Sequence, residues 1–341
     1  MKILFAYPFF LKDSVLEQNW KTPYFPLGIL YLAGAARQAG HSVSIFDGTF
    51  ADGFEDFVSM FNTIQPDVVC ITSLITLRER ALAFGRYAIA QGAKVIYGGP
   101  DVQVVPSNYA QMGAILVVGE GEPTLIDLLN AFQNNTTIES IHGIAYWTDN
   151  VLKYTAPRQQ IPLDWSQLPL PARNLLNFEP YFQLWQTHHG YTSMTLAATR
   201  AYTSVSDKVD DVIRTQFDTY VRVRPIQDIV AEMKLIEKDY SVDRFRLVDD
   251  LGALGKDWLV ALGEAMLMAD IKTPYEGLKP LHFDDLPMYA PQKDLCAERT
   301  IWLPGIDHDP KAMDIETIQR RWEQGILQEG ETLPSSCKNC S

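Results

Sequence analysis

The sequence is poor in cysteine. Four occur among 341 residues, Cys70, Cys296, Cys337 and Cys340. That is too few for a disulfide framework, and a reducing cytoplasm is the expected setting. It lacks an apolar run of the ~18 or more residues that a membrane-spanning helix needs. Its opening, MKILFAYPFF, meets Lys12 and Asp13 too soon for a signal peptide. It also lacks basic runs: Lys and Arg number 29 against 42 Asp and Glu, a formal charge of −13. That balance argues against nucleic acid as a partner, because phosphate-backbone binders carry a basic face. Hydrophobic residues at 47% and charged residues at 21% describe an ordinary globular chain, with length for about two domains.

What is present is alternation. Short apolar runs at 2–7 (KILFAY), 42–46 (SVSIF), 67–72 (DVVCIT), 94–97 (KVIY) and 114–118 (AILVV) read as buried parallel strands. Between them lie helical patterns at 26–40, 54–64, 77–91 and 124–132. Pro26 suits a first helical position and Gly40 a C-terminal cap. Strands alternating with helices predict an α/β fold with a doubly wound, Rossmann-like parallel sheet. Such sheets take ligands outside the carboxyl ends of their strands. There the sequence places Thr72-Ser73-Leu74, then Gly98-Gly99-Pro100, then Gly119-Glu120-Gly121-Glu122-Pro123-Thr124. Glycine admits close backbone approach, so three such loops on one edge point to a ligand groove, although any one of them alone reads as a strand end.

The segments 22–33 (TPYFPLGILYLA), 95–100 (VIYGGP) and 118–124 (VGEGEPT) resemble, in order and spacing, the cobalamin-binding domain of B12-dependent radical SAM proteins. The resemblance implies cobalamin as cofactor and partner, its nucleotide tail lined by Thr72, Ser73, Leu74, Gly98, Gly99, Pro100, Gly119, Glu120, Gly121 and Thr124. Other cobalamin proteins give cobalt a histidine from the loop after the first strand. Here that loop, 8–20, contains none, as is common in the radical SAM subgroup.

The resemblance divides the chain into 1–140, the cobalamin-binding domain; 141–190, a hairpin around Asp149-Asn150 and a proline-rich linker with a short helix at 171–177; 191–280, a truncated radical-SAM-type partial (β/α) barrel; and 281–341, an extension with one helix. Residues 194–199 (MTLAAT) read as the first barrel strand. In the family this strand runs into a Cys-x3-Cys-x2-Cys loop whose thiolates hold a 4Fe–4S cluster. In this frame the three positions fall on Tyr202, Ser206 and Val209. The flanks keep register: 220–225 (YVRVRP), a helix through 229–233, the strand 244–250 (RFRLVDD) and a helix at 258–268. The expectation is therefore no standard cluster and no reductive cleavage of SAM.

Other candidates remain open. Cys337-x-x-Cys340 with Cys296, and with His282 or His308, fits half or all of a metal site, or else free thiols on a tail. His188-His189 read as a surface pair or as groove residues. Asp249, Asp250 and Glu276 stand where barrel active sites lie, or are solvated acids. Asp307-His308-Asp309 is a weaker trio. Cys70 reads as a buried apolar residue. Functionally, the expectation is a cobalamin-binding protein with a sensing, carrying or accessory role. It would act as a homodimer or beside a catalytic radical SAM relative. The alternatives are non-radical cobalamin-dependent methyl transfer and an interaction module with an empty groove.

Overall fold

The structure is a computed structural model that describes residues 1–21, 23–158, 168–200, 222–250, 254–273 and 275–278. The chain divides into two compact units. The first comprises Met1–Asp13, Pro23–Pro180 and Arg200–Arg222, and the second Ser14–Thr22, Tyr181–Thr199 and Val223–Ser341.

In the first unit, β1 (Lys2–Tyr7), β2 (Ser42–Asp47), β3 (Val68–Thr72), β4 (Lys94–Gly98) and β5 (Ile115–Val117) form the expected parallel sheet. The hairpin of β6 (Ile144–Thr148) and β7 (Val151–Tyr154) does not stand apart. It pairs antiparallel with β5 and extends the sheet to seven strands, in the order β2-β1-β3-β4-β5-β6-β7. A hairpin with one apolar face is too small to stand alone in water, and the edge of β5 gives it a partner. The strand order reverses beside β1, which is the topological switch point where such sheets open a crevice at their carboxyl edge.

Alternation along the strands sends side chains to both faces. Leu4, Ala6, Val69, Ile71, Val95 and Tyr97 join a buried cluster with Phe57 and Phe61 of one helix, Phe54–Ile64, and Leu82 and Phe84 of another, Arg78–Ala90. At its centre Phe57 and Phe84 stack with centroids 4.1 Å apart. Leu27–Gln38 and Glu122–Asn134 pack against each other, with Ile29, Leu30, Ala33, Leu125 and Leu128 buried. In chain order the helices are α1 (Val15–Trp20), α2 (Leu27–Gln38), α3 (Phe54–Ile64), α4 (Arg78–Ala90), α5 (Asp101–Val104), α6 (Pro106–Ala110), α7 (Glu122–Asn134) and α8 (Glu179–His189). The stretch 168–178, expected as linker, lies on α2: the Ala172 amide donates to the Leu30 carbonyl at 2.9 Å. Its expected helix is a single 3-10 turn, Arg173–Leu175.

The second unit builds a parallel sheet of β8 (Ser193–Leu196), β11 (Arg244–Asp250) and β12 (Tyr275–Leu278). Two short strands, β9 (Thr199–Arg200) and β10 (Arg222–Val223), pair separately. Met194, Leu196, Phe245 and Leu247 share one face by register and are buried, as are Ile229 and Met233 of α9 (Ile226–Asp239) and Leu262 and Met266 of α10 (Gly255–Met268). On the opposite face of β11, Arg244 lies over the Tyr191 ring at 3.6 Å and Arg246 over Trp185 at 5.3 Å. The helix α8 was read as linker. It ends in His188-His189, and the His189 ring sits 5.7 Å from Trp185. Among the described residues no helix is long and apolar enough to cross a membrane.

Gly85 of α4 is a packing requirement. A Cβ there would lie 1.8 Å from the Tyr97 hydroxyl, which is buried and donates to the Ala81 carbonyl at 2.8 Å. Gly85→Ala is expected to cost about 1–3 kcal/mol, as overpacking does. Adding Tyr97→Phe should restore part of it; both are read from urea midpoints at unchanged m-value.

Candidate functional site

The carboxyl edge of the first unit's sheet brings together the loops after β3, β4 and β5, as the sequence suggested. The loops after β3 and β4 are locked to each other. The Ser73 amide donates to the Gly98 carbonyl at 2.8 Å, and the Asp101 amide to the Ser73 carbonyl at 3.3 Å. Gly99 has φ +101°, and a Cβ on it would meet the Ser73 carbonyl oxygen at 2.4 Å, so only glycine fits between the two loops. A Cβ on Gly98 would meet nothing within 4 Å. The edge is therefore tight beneath Gly99 and open above Gly98.

Side chains reinforce the lock. Arg78, first residue of α4, donates from Nε and Nη2 to the two oxygens of Asp101 at 2.8 and 2.6 Å. Tyr109 donates to Asp101, and its oxygen lies 2.5 Å from the Ser73 hydroxyl. Burial works to raise the Asp101 carboxyl. The hydrogen bonds from Arg78 and Tyr109 outweigh it and hold the group below its ordinary range, while burial and the neighbouring carboxylate push the Tyr109 phenol up.

The turn after β5 carries two carboxylates, and both are taken inward. Glu122 accepts two hydrogen bonds from Arg200, one of them 2.8 Å long, and Glu120 two from Arg222, one of them 2.9 Å long. At 6% exposure Glu122 would be costly to leave unpaired. Burial opposes its charge, but the Arg200 guanidinium, by charge and then by hydrogen bond, holds its carboxyl below the ordinary range. Arg200 also lies over the Tyr31 ring at 5.5 Å. These four side chains were not read together from the sequence: Glu120 was expected to line the groove, and neither arginine was singled out. Thr124 is fully buried and accepts from Arg158 Nε at 2.7 Å. Thr72, Leu74, Gly98, Gly99, Pro100, Gly119, Glu120 and Gly121 are half-buried on this edge, whereas Ser73 is fully buried.

The edge is rimmed by exposed apolar side chains: Phe50 after β2, Ile75 after β3 and Val104 after β4. The edge is therefore rich in backbone and glycine, its Asp101, Glu120 and Glu122 carboxylates are paired with arginines, and exposed apolar side chains stand on its loops. That composition fits a large, mostly neutral ligand with amide fringes. It fits a corrin, and no histidine enters it from the loop at 8–20.

Of the remaining sequence candidates, Cys70 is buried and its thiol is pushed up by burial. Asp249 and Asp250 end β11, and Glu276 lies in β12. Tyr202, Ser206, Val209, Cys296, Cys337, Cys340, His282 and the 307–309 trio lie outside the described residues. Among the described residues no three His, Cys, Asp or Glu side chains are grouped as a metal site.

Comparison with known proteins bears on the fold and on the domain that carries this edge. Residues 14–129 match the family model for the B12 binding domain. The chain is 25% identical over 268 residues to an uncharacterized methyltransferase of Pyrococcus horikoshii, covering 75% of this chain and 55% of that protein. It is 23% identical over 276 residues to the cytidylyl-2-hydroxyethylphosphonate methyltransferase of Streptomyces wedmorensis, covering 66% and 51%. The chain thus spans about half the length of these curated relatives. Among solved structures it superposes on the cobalamin-dependent S-adenosylmethionine radical enzyme OxsB, with aqua-cobalamin and S-adenosylmethionine bound, at TM-score 0.67. Identity there is 13%, and the match covers 86% of this chain and 40% of OxsB. With the radical S-adenosylmethionine methyltransferase TsrM from Kitasatospora setae, cobalamin and 4Fe–4S cluster bound, the TM-score is 0.62 at 16% identity, covering 86% and 56%. The fold is that of cobalamin-dependent radical SAM enzymes. More particularly, the match to the B12 binding domain model covers residues 14–129, most of them in the first unit.

Two outcomes follow. Arg200→Met strands the buried Glu122 carboxylate and is expected to cost about 3–5 kcal/mol, read from urea midpoints; Glu122→Gln with Arg200→Met should recover most of it. Folded Glu122 and Asp101 are both depressed. Their stabilisation is therefore complete above the ordinary carboxylate range of about pH 4 and is lost as pH falls through the depressed values. Stability measured from pH 7 down to 3 should drop less steeply in Glu122→Gln than in the wild type.

Proposed function

We propose that this chain binds cobalamin on the carboxyl edge of its first sheet. The cradle at Gly98 and Gly99 carries this reading: the backbone closes tightly at Gly99, and the space above Gly98 is open. Gly98, Gly99, Pro100, Gly119, Gly121, Leu74 and Thr72 would line the nucleotide tail. The apolar shoulders Ile75 and Val104 offer contact to the macrocycle. Bound there, cobalamin would supply a cobalt centre able to carry an alkyl group, chemistry that belongs to the cofactor rather than to the chain. The protein's part is to bind and orient it with satisfied, inward-turned charges and without a histidine from residues 8–20.

We read the chain further as lacking the three-thiolate cluster. Tyr202, Ser206 and Val209 stand at the positions that resemble the cluster loop, and phenol, alcohol and isopropyl groups do not replace thiolates on iron. Reductive cleavage of SAM would then be absent. A sensing, carrying or accessory role follows, alone as a dimer or beside a catalytic relative. The division at 140, 190 and 280 into cobalamin domain, linker, partial barrel and extension belongs to the same proposal. A second reading, non-radical methyl transfer, draws support from the methyltransferase names of the relatives.

Gly98→Phe fills the open space without straining the backbone. After incubation with hydroxocobalamin and gel filtration, the wild type should retain a corrin spectrum. Gly98→Phe should retain at least tenfold less at an unchanged thermal midpoint. Absence of corrin from the wild type would leave the interaction-module reading.

A further inference from the structure

Arg78 is held in one orientation from beneath. Its Nε and Nη2 meet the two oxygens of Asp101 at 2.8 and 2.6 Å. A planar fork set on a carboxylate in this way fixes the guanidinium in direction as well as position. Asp101 is anchored in turn. It accepts from the Tyr109 hydroxyl, and its amide donates to the Ser73 carbonyl at 3.3 Å. The Asp101 side chain is fully buried, whereas that of Arg78 keeps 24% exposure. A guanidinium has five N–H donors. The fork commits one from Nε and one from Nη2, so both donors of Nη1 lie on the edge turned away from the buried carboxylate.

The position of the pair gives that edge a use. Arg78 opens α4 after a single turn, Ile75–Leu77, behind the β3 loop, and Asp101 opens α5 behind the β4 loop. The pair thus stands at the two loops where the nucleotide tail of a corrinoid is expected. An ordinary surface ion pair contributes little and has no buried support. A half-exposed arginine ordered by a buried carboxylate, itself ordered by Tyr109, is the arrangement of a preorganised ligand contact. The tail supplies a matching acceptor, the phosphodiester that joins the corrin arm to the ribose. We propose that Arg78 binds this phosphodiester through Nη1, with Asp101 and Tyr109 as its positioning residues. The inference rests on the corrinoid reading above and adds the residue that distinguishes a corrinoid with a phosphate from one without.

The test compares cobinamide, whose arm ends in an alcohol, with cobinamide phosphate. Dissociation constants are measured by equilibrium dialysis against the full chain and against Arg78→Gln with Asp101→Asn, which removes both charges together. In the wild type the phosphate should tighten binding by about tenfold, the size of one hydrogen bond to a charged group. In the double variant the two ligands should agree within about threefold, with cobinamide bound as in the wild type. Equal affinities in the wild type would overturn the assignment, and so would a preference that survives in the double variant. Parallel weakening of both ligands would make Arg78 a support of the loops and overturn it as well. Should the double variant fail to fold, Arg78→Lys, which keeps the charge beside Asp101 but not the planar edge, is read in the same way. Failure of hydroxocobalamin to bind the wild type would overturn the corrinoid reading itself. With hydroxocobalamin bound, loss of the phosphate preference touches the Arg78 assignment alone.

Discussion

Two arginine-paired carboxylates on one four-residue turn impose the strongest constraint on the first unit. Glu120 and Glu122 flank Gly121 after β5, and neither is left to water. Their partners, Arg222 and Arg200, lie 102 and 78 residues away in sequence. A carboxylate buried alone is worth several kcal/mol against folding, and pairing with a bidentate guanidinium offsets that penalty only when the geometry is good. The turn can therefore exist only once the chain has folded back from residues 200 and 222. That ties the start of α7 to distant sequence and fixes the third loop of the groove.

The same logic runs through the other two loops. Asp101 is neutralised by Arg78, the Tyr109 hydroxyl donates to Asp101, and the Ser73 hydroxyl lies 2.5 Å from the Tyr109 oxygen. Asp101, Glu120 and Glu122 at this edge are thus each turned toward an arginine. Beside them lie glycines, the half-buried Thr72 and exposed apolar side chains. A groove made this way is poorly suited to a small charged substrate and well suited to a large, amide-fringed macrocycle.

The parallel strands and the helices α2, α3, α4 and α7 were legible in sequence, because KILFAY-like runs alternate with helical spacing and Gly or Pro marks their ends. The three groove loops were legible for the same reason. Other features were not. The helix α8 follows a proline-rich stretch and carries Pro180 in its first turn, a position a helix tolerates but a reader takes as a break. The short helices α5 and α6 crowd too few residues to show a period. The joining of β6 and β7 to β5 depends on an edge supplied by the fold. At the site, Ser73 was placed correctly on its loop but not by orientation, since Tyr109 comes 36 residues later. The arginine partners of Glu120 and Glu122 leave no local signature at all. Alternation is a local property, whereas charge pairing and proton direction are tertiary ones.

The central claim is that the chain takes up a corrin without an iron–sulfur cluster. It is tested most directly by metal content. The full chain is reconstituted anaerobically with hydroxocobalamin, iron and sulfide, desalted, and analysed for cobalt and iron per polypeptide. The account predicts close to one cobalt and no stoichiometric iron. Iron near four per chain, or no cobalt, would contradict it.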